Sequence, residues 1–123
     1  MCTRSSRATG VAVDWAAAVG GPPVSICDRS LTTAILTGTG ALEVVVHGWD
    51  IARTCSSPWP IPGTLAEELL ALAPALVTGG DRPGRFGMPV AVPAQAAPGD
   101  RLVAFLGRHP AWVPPDERIP RAA

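Results

Sequence analysis

Apolar residues along this chain gather into a few stretches, and the period of each predicts an element. The richest is ALEVVVHGWDIA, 41–52, broken only by Glu43, His47 and Asp50. Its apolar positions are too dense for a loop and its length exceeds a typical strand, so it predicts a helix. Extended over its flanks, this central helix runs from about 31 to 54. Asp28 or Ser30 can cap its start, and Ser56, Ser57, Pro58 and Pro60 end it. Its first half is poor in helix formers, with Thr32, Thr33, Thr37, Thr39, Gly38 and Gly40, and needs packing to hold it. Those glycines, and Gly48, offer places where a neighbouring helix can come close.

Downstream, Thr64-Leu-Ala-Glu67 reads as a capping box, and Leu65, Leu69, Leu72 and Leu76 follow at helical spacing. They predict a helix over about 64–77, kinked near its end by Pro74 and closed by Gly79 and Gly80. Phe86, Met88, Val90 and Val92 then alternate with smaller residues, predicting a strand at about 85–92 that Pro89 assigns to a sheet edge. Pro98 suits the first turn of a last short helix, about 98–106, with Leu102, Phe105 and Leu106 inward and Gly107 as terminator. Val24 to Cys27 alternates as a short strand or extended lead-in. Residues 1–23 read as an irregular or disordered lead, 24–112 as one domain and 113–123 as a flexible tail, with Trp112 able to fold back.

Composition narrows the function. Of 123 residues 47% are hydrophobic, as in ordinary globular chains, and no apolar run is long enough to cross a membrane. The formal charge is zero and there is no lysine, so no basic stripe faces phosphates and nucleic acid is not expected as a partner. Cys2, Cys27 and Cys55 are odd in number and lack CxxC spacing, which fits a reduced, cytoplasmic protein better than a disulfide framework.

The candidate chemistry lies on the central helix. With each residue advancing ~100°, His47 sits about 40° from Glu43 and Asp50 about 20° to the other side, so the three share a face. One reading is a solvated polar stripe with an incidental i, i+4 pair. The other is a metal half-site, since carboxylate and imidazole are both good ligands for an ion such as zinc and converge at this spacing. Asp50, one turn on, is then the candidate that orients the imidazole from behind the ligands. Neither spacing nor composition chooses between the two.

The string EVVVHGWDIA resembles the signature helix of the mycothiol-dependent maleylpyruvate isomerase family, within the DinB-like metal-binding proteins of actinobacteria. The stretches PIPGTLAEELLALAPALV and DRPGRFGMPVAVPAQAAPGDRLVAFLGR are similar to that family's C-terminal half, in the same order. The resemblance runs from about Val24 to Arg108. It implies a mainly α fold, a truncated DinB-like four-helix bundle. It also implies that Glu43 and His47 are ligands of a divalent metal, zinc first among candidates. Mycothiol would be a thiol cosubstrate and a small organic acid the substrate of an isomerase or thiol transferase. The family's third ligand is a histidine on an upstream helix. Residues 1–40 contain no histidine, and His109 lies in the exit segment, where a solvated residue is expected. Three functions stay open: a metal- and thiol-dependent enzyme, a non-catalytic metal-binding or interaction module, and an inactive remnant. A bundle short of helices leaves the broad apolar arc of the central helix uncovered, which predicts a homodimer.

Overall fold

In the computed structural model the described residues are Asp14, Ala17, 20–26 and 29–115. Most of the expected lead and most of the tail therefore lie outside them, as do Cys2, Cys27 and Asp28. The chain divides into two compact units, 1–40 and 41–123.

In the first unit, strands β1 (Val24–Ile26) and β2 (Arg29–Leu31) form an antiparallel pair with Val24 opposite Leu31 and Ser25 opposite Ser30. The extended reading holds over Val24–Ile26, and its partner strand takes Leu31 from the start assigned to the central helix and Ser30 from the cap position. Helix α1 accordingly spans Thr33–Thr54 and begins two residues later than predicted. Its cap is Thr32, whose Oγ1 accepts the Ile35 N–H at 3.3 Å. The threonines that weaken this half are accommodated by hydrogen bonds to the preceding turn: Thr37 Oγ1 donates to the Thr33 carbonyl at 2.7 Å, and Thr39 Oγ1 to that of Ile35 at 2.9 Å.

The second unit holds the later part of α1, helix α2 (Gly63–Leu76), a 3-10 turn (Gly79–Asp81) and helix α3 (Pro98–Phe105). Helices α2 and α3 pack on each other. The core joins Leu42 and Val46 of α1, Ala66, Leu69 and Ala73 of α2, and Leu102 of α3 with Val77, Phe86 and Leu106 from the connections. On α1 the spacing of Leu42, Val46 and Trp49 puts one narrow stripe inside. Val44 and Ile51 stay 74% and 65% exposed, so the apolar arc of this helix is wider than the face that is covered.

Three details of this unit differ from the sequence expectation. Helix α2 starts behind Pro62, with no side-chain cap, so Thr64 stands inside the first turn and cannot form the Thr64–Glu67 box. Capping chemistry of that kind occurs instead at the 3-10 turn, where Asp81 Oδ2 accepts the Thr78 N–H at 2.8 Å and its hydroxyl at 2.9 Å. The buried stripe of α2 is Ala66, Leu69 and Ala73, while Leu72 is 47% exposed. Two alanines let the helix seat closely, and they rotate the leucine stripe partly out. The third is the predicted edge strand at 85–92: among the described residues it has no strand partner. Phe86 is buried, Met88 is exposed, and the Val90 N–H donates to the Ala104 carbonyl at 2.9 Å, so the segment is anchored to the end of α3 rather than to a sheet.

The last helix ends as expected. Pro98 occupies its first turn, Leu102 and Leu106 are fully buried, Phe105 is half-buried, and Gly107 takes φ +82°. That left-handed turn brings Gly107 against Gly87, so closely that a Cβ on Gly107 would lie 2.6 Å from the Gly87 backbone. Arg82 clamps the same junction, its guanidinium donating to the Gly87 carbonyl and, at 2.6 Å, to that of Phe105. Gly48, by contrast, has nothing within 4 Å of where a Cβ would stand, so no close helix approach explains it.

Candidate functional site

The i, i+3 and i, i+4 geometry of α1 does place the three polar side chains together. His47 Nε2 lies 3.1 Å from Glu43 Oε2, and His47 Nδ1 lies 3.4 Å from Asp50 Oδ2. The imidazole thus stands between two carboxylates, one on each ring nitrogen. Its side chain is 61% exposed, so solvent screens these contacts and they add little to stability.

Two arginines that the sequence reading did not single out complete the arrangement. Arg85, from the loop after the 3-10 turn, places Nη2 3.1 Å from Glu43 Oε1 and Nη1 3.4 Å from Asp81 Oδ1. Arg108, just past α3, grips Asp50 in a fork: Nε to Oδ1 at 3.1 Å and Nη2 to Oδ2 at 2.9 Å, with Nη1 donating to the Leu106 carbonyl at 3.0 Å. The result is a continuous chain of charges, Arg108, Asp50, His47, Glu43, Arg85, Asp81. Three carboxylates against two guanidiniums leave one negative charge when His47 is neutral. Asp81 is held below its usual carboxylate range, first by the Thr78 N–H, then by the Thr78 hydroxyl and by Arg85.

The donor set can be tested against a divalent ion. Bonds of about 2.1 Å in a tetrahedron put two donors about 3.4 Å apart, so the Glu43–His47 pair needs little movement to share an ion. The residual negative charge favours a cation, and Asp50 on the far ring nitrogen matches the carboxylate–histidine arrangement that orients metal-bound imidazoles. Against these stand the Arg85 guanidinium on the second Glu43 oxygen and the number of donors. Among the described residues no group of three or more His, Cys, Asp or Glu side chains is placed to hold a metal. The residues fit a half-site. His109 lies beyond α3, exposed, with Nδ1 accepting the Ala111 N–H at 3.2 Å, and Cys55 is exposed as a free thiol.

No family model matches the chain, and no solved structure matches it. Two uncharacterised proteins of Mycobacterium tuberculosis, one from each of two strains, are 37% identical to it over 76 residues. The match covers 60% of this chain and 42% of each relative, so the chain spans less than half the length of these curated relatives. Both come from an actinobacterium, in keeping with the source the sequence suggests. Among the described residues no helix is long and apolar enough to cross a membrane.

Proposed function

We propose that the chain binds a divalent cation, zinc foremost, through Glu43 and His47, with Asp50 orienting the imidazole. The observation that carries this is the 3.1 Å approach of His47 Nε2 to Glu43 Oε2 on a face whose other ring nitrogen meets a carboxylate. In this reading the helices belong to a DinB-like bundle related to the mycothiol-dependent maleylpyruvate isomerases, ancestrally a thiol-dependent isomerase or thiol transferase. Bound there, an ion would supply Lewis acidity and lower the pKa of a thiol or water. The chain's own residues hold the ion and fix the imidazole tautomer. With two donors, the site serves binding rather than turnover, and the chain alone shows little thiol-dependent isomerisation of maleylpyruvate.

Titration of the purified chain with zinc tests this. Weak binding that falls at low pH, as protons compete for the ligands, is expected. Glu43→Ala and His47→Ala each abolish it and His109→Ala does not. Equal zinc uptake by the wild type and both ligand variants refutes the assignment.

A second reading, an interaction module, is favoured by one observation: Val44 and Ile51 are exposed on the same helix beside the half-site. A second copy packing there would cover both residues and bring a second Glu43–His47 pair near the first. Sedimentation with and without zinc decides it, a zinc-independent monomer at high concentration counting against it.

A further inference from the structure

The most informative unassigned group is Arg53, in the last turn of α1. Arg82, Arg85 and Arg108 each hold carbonyl or carboxylate oxygens. Arg53 is half-buried, its guanidinium carbon 5.1 Å from the centre of the Trp49 ring, and no hydrogen bond or ion pair to it occurs among the described residues. A cation there complements the C-terminal end of the helix dipole, which is a sufficient account of the charge alone. It does not account for the surroundings.

Arg53 borders two clefts, one of about 560 Å³ shared with Trp59, Pro98 and Asp100, and one of about 380 Å³ whose walls include Trp49, Thr54, Arg108, His109 and Trp112. Asp50 also borders the smaller, but both Asp50 oxygens are taken by Arg108. Among the described residues, the charge of Arg53 is therefore left without a partner in the smaller cleft. A half-buried guanidinium stacked on an indole presents its N–H edge in a fixed plane, the geometry that matches a carboxylate. The partly exposed Trp112 indole in the lining favours a flat apolar body over a compact tetrahedral ion, and the volume lies at the small end of ligand sites.

We propose that this cleft binds a small planar carboxylic acid, its carboxylate on Arg53 and its ring or conjugated plane against Trp112. The site is separate from the Glu43–His47 pair and stands whether or not that pair binds metal. Thr54 Oγ1 donates to the Asp50 carbonyl at 2.8 Å, which leaves its lone pairs, rather than its proton, facing outward. Recognition of the acid head therefore rests on Arg53, with the Nε2–H of His109, whose Nδ1 accepts the Ala111 N–H, as the other donor bordering the cleft.

Titration calorimetry with sodium benzoate, inorganic phosphate and benzyl alcohol tests the proposal, alongside a circular-dichroism check that each variant is folded. Benzoate should bind saturably to the wild type and to His47→Ala, more weakly as sodium chloride is raised. Arg53→Gln should weaken it roughly ten- to a hundredfold, the loss of a hydrogen bond to a charged group. Arg53→Lys, which keeps the charge without the fork, should fall between. No saturable benzoate heat, equal binding by Arg53→Gln, or phosphate or benzyl alcohol binding as tightly as benzoate would each overturn it.

Discussion

The contact between Gly107 and Gly87 makes the sharpest stability prediction. Gly107 stands just past the end of α3 at φ +82°, where a side chain brings Cβ against its own backbone; alanine there costs about 1–2 kcal/mol from conformation alone. Its Cβ would also meet Gly87 C and Cα at 2.6 Å and Gly87 O at 2.7 Å, and these are backbone atoms that no rotamer change can move. Relieving such overlap requires the 87–90 segment to shift from α3, a rearrangement of the size that overpacked cores absorb for about 1–3 kcal/mol. Gly107→Ala should therefore destabilise the second unit by roughly 3 kcal/mol, a large part of the stability of a small domain. At about 4–8 °C per kcal/mol, its melting temperature should fall by roughly 12–24 °C.

Two other glycines supply the internal scale. A Cβ on Gly87 would lie 3.2 Å from the Gly107 carbonyl oxygen, a tight contact at an ordinary φ, so Gly87→Ala should cost less. At Gly48, on open helix surface, alanine should stabilise by up to about 1 kcal/mol through helix propensity. Thermal melts of the helical circular-dichroism signal should order the three as Gly107→Ala, Gly87→Ala, Gly48→Ala from worst to best. A Gly107→Ala protein melting within about 3 °C of the wild type, against the shift expected from its lost stability, would refute the reasoning.

Three further outcomes follow from the polar contacts. Because Asp81 has its folded pKa depressed, its contribution is present above the ordinary value near 3.8 and is lost as pH falls through the lower folded value. Asp81→Asn should accordingly flatten the acid limb of a pH–stability curve below pH ~4, and an unchanged limb counts against the role given to the Thr78 contacts. Arg82→Leu removes charge-assisted bonds to the Gly87 and Phe105 carbonyls and should cost about 1.5–3 kcal/mol in urea unfolding, with Arg82→Lys only partly restoring it; a neutral result would mean water replaces the clamp. Arg85→Ala frees Glu43 Oε1 and takes a positive charge from a 61% exposed position, so zinc affinity should tighten by only a few-fold. Weaker zinc binding in that variant would show that Arg85 orients Glu43 rather than competing for it.

The legible parts of this chain are those whose cause is local. The stripe of Glu43, His47 and Asp50 follows from helical period alone, and the structure brings their heads within 3.1 and 3.4 Å. Pro98 and Gly107 bracket the last helix because each has one backbone preference that suits one end. Where the reading went astray, a second residue outside the window decided the outcome. Thr64 and Glu67 have the right identities for a capping box, but the helix enters from Pro62 and Thr64 falls two positions past the cap. Phe86 to Val92 alternates like a strand, yet alternation only states which side is apolar; without a second strand beside it, the Val90 N–H goes to the Ala104 carbonyl.

The same distinction governs the site. Glu43 and Asp50 each have a guanidinium partner, but Arg85 is 42 residues from Glu43 and Arg108 is 58 from Asp50. No periodicity spans such separations, and each arginine follows or ends a turn of ordinary composition, so nothing nearby marks it out. Their effect is still chemical rather than decorative. A bare row of two carboxylates around an imidazole would be strongly anionic and mobile. With Arg108 gripping both oxygens of Asp50, the acceptor behind His47 Nδ1 is fixed in place, while Arg85 leaves Glu43 Oε2 turned toward Nε2. The local pattern supplies the donors, and the two distant arginines decide which of their atoms converge. That is why the stripe of Glu43, His47 and Asp50 is readable from twelve residues of α1, whereas its charge balance emerges only once the loop after the 3-10 turn and the end of α3 have folded against it.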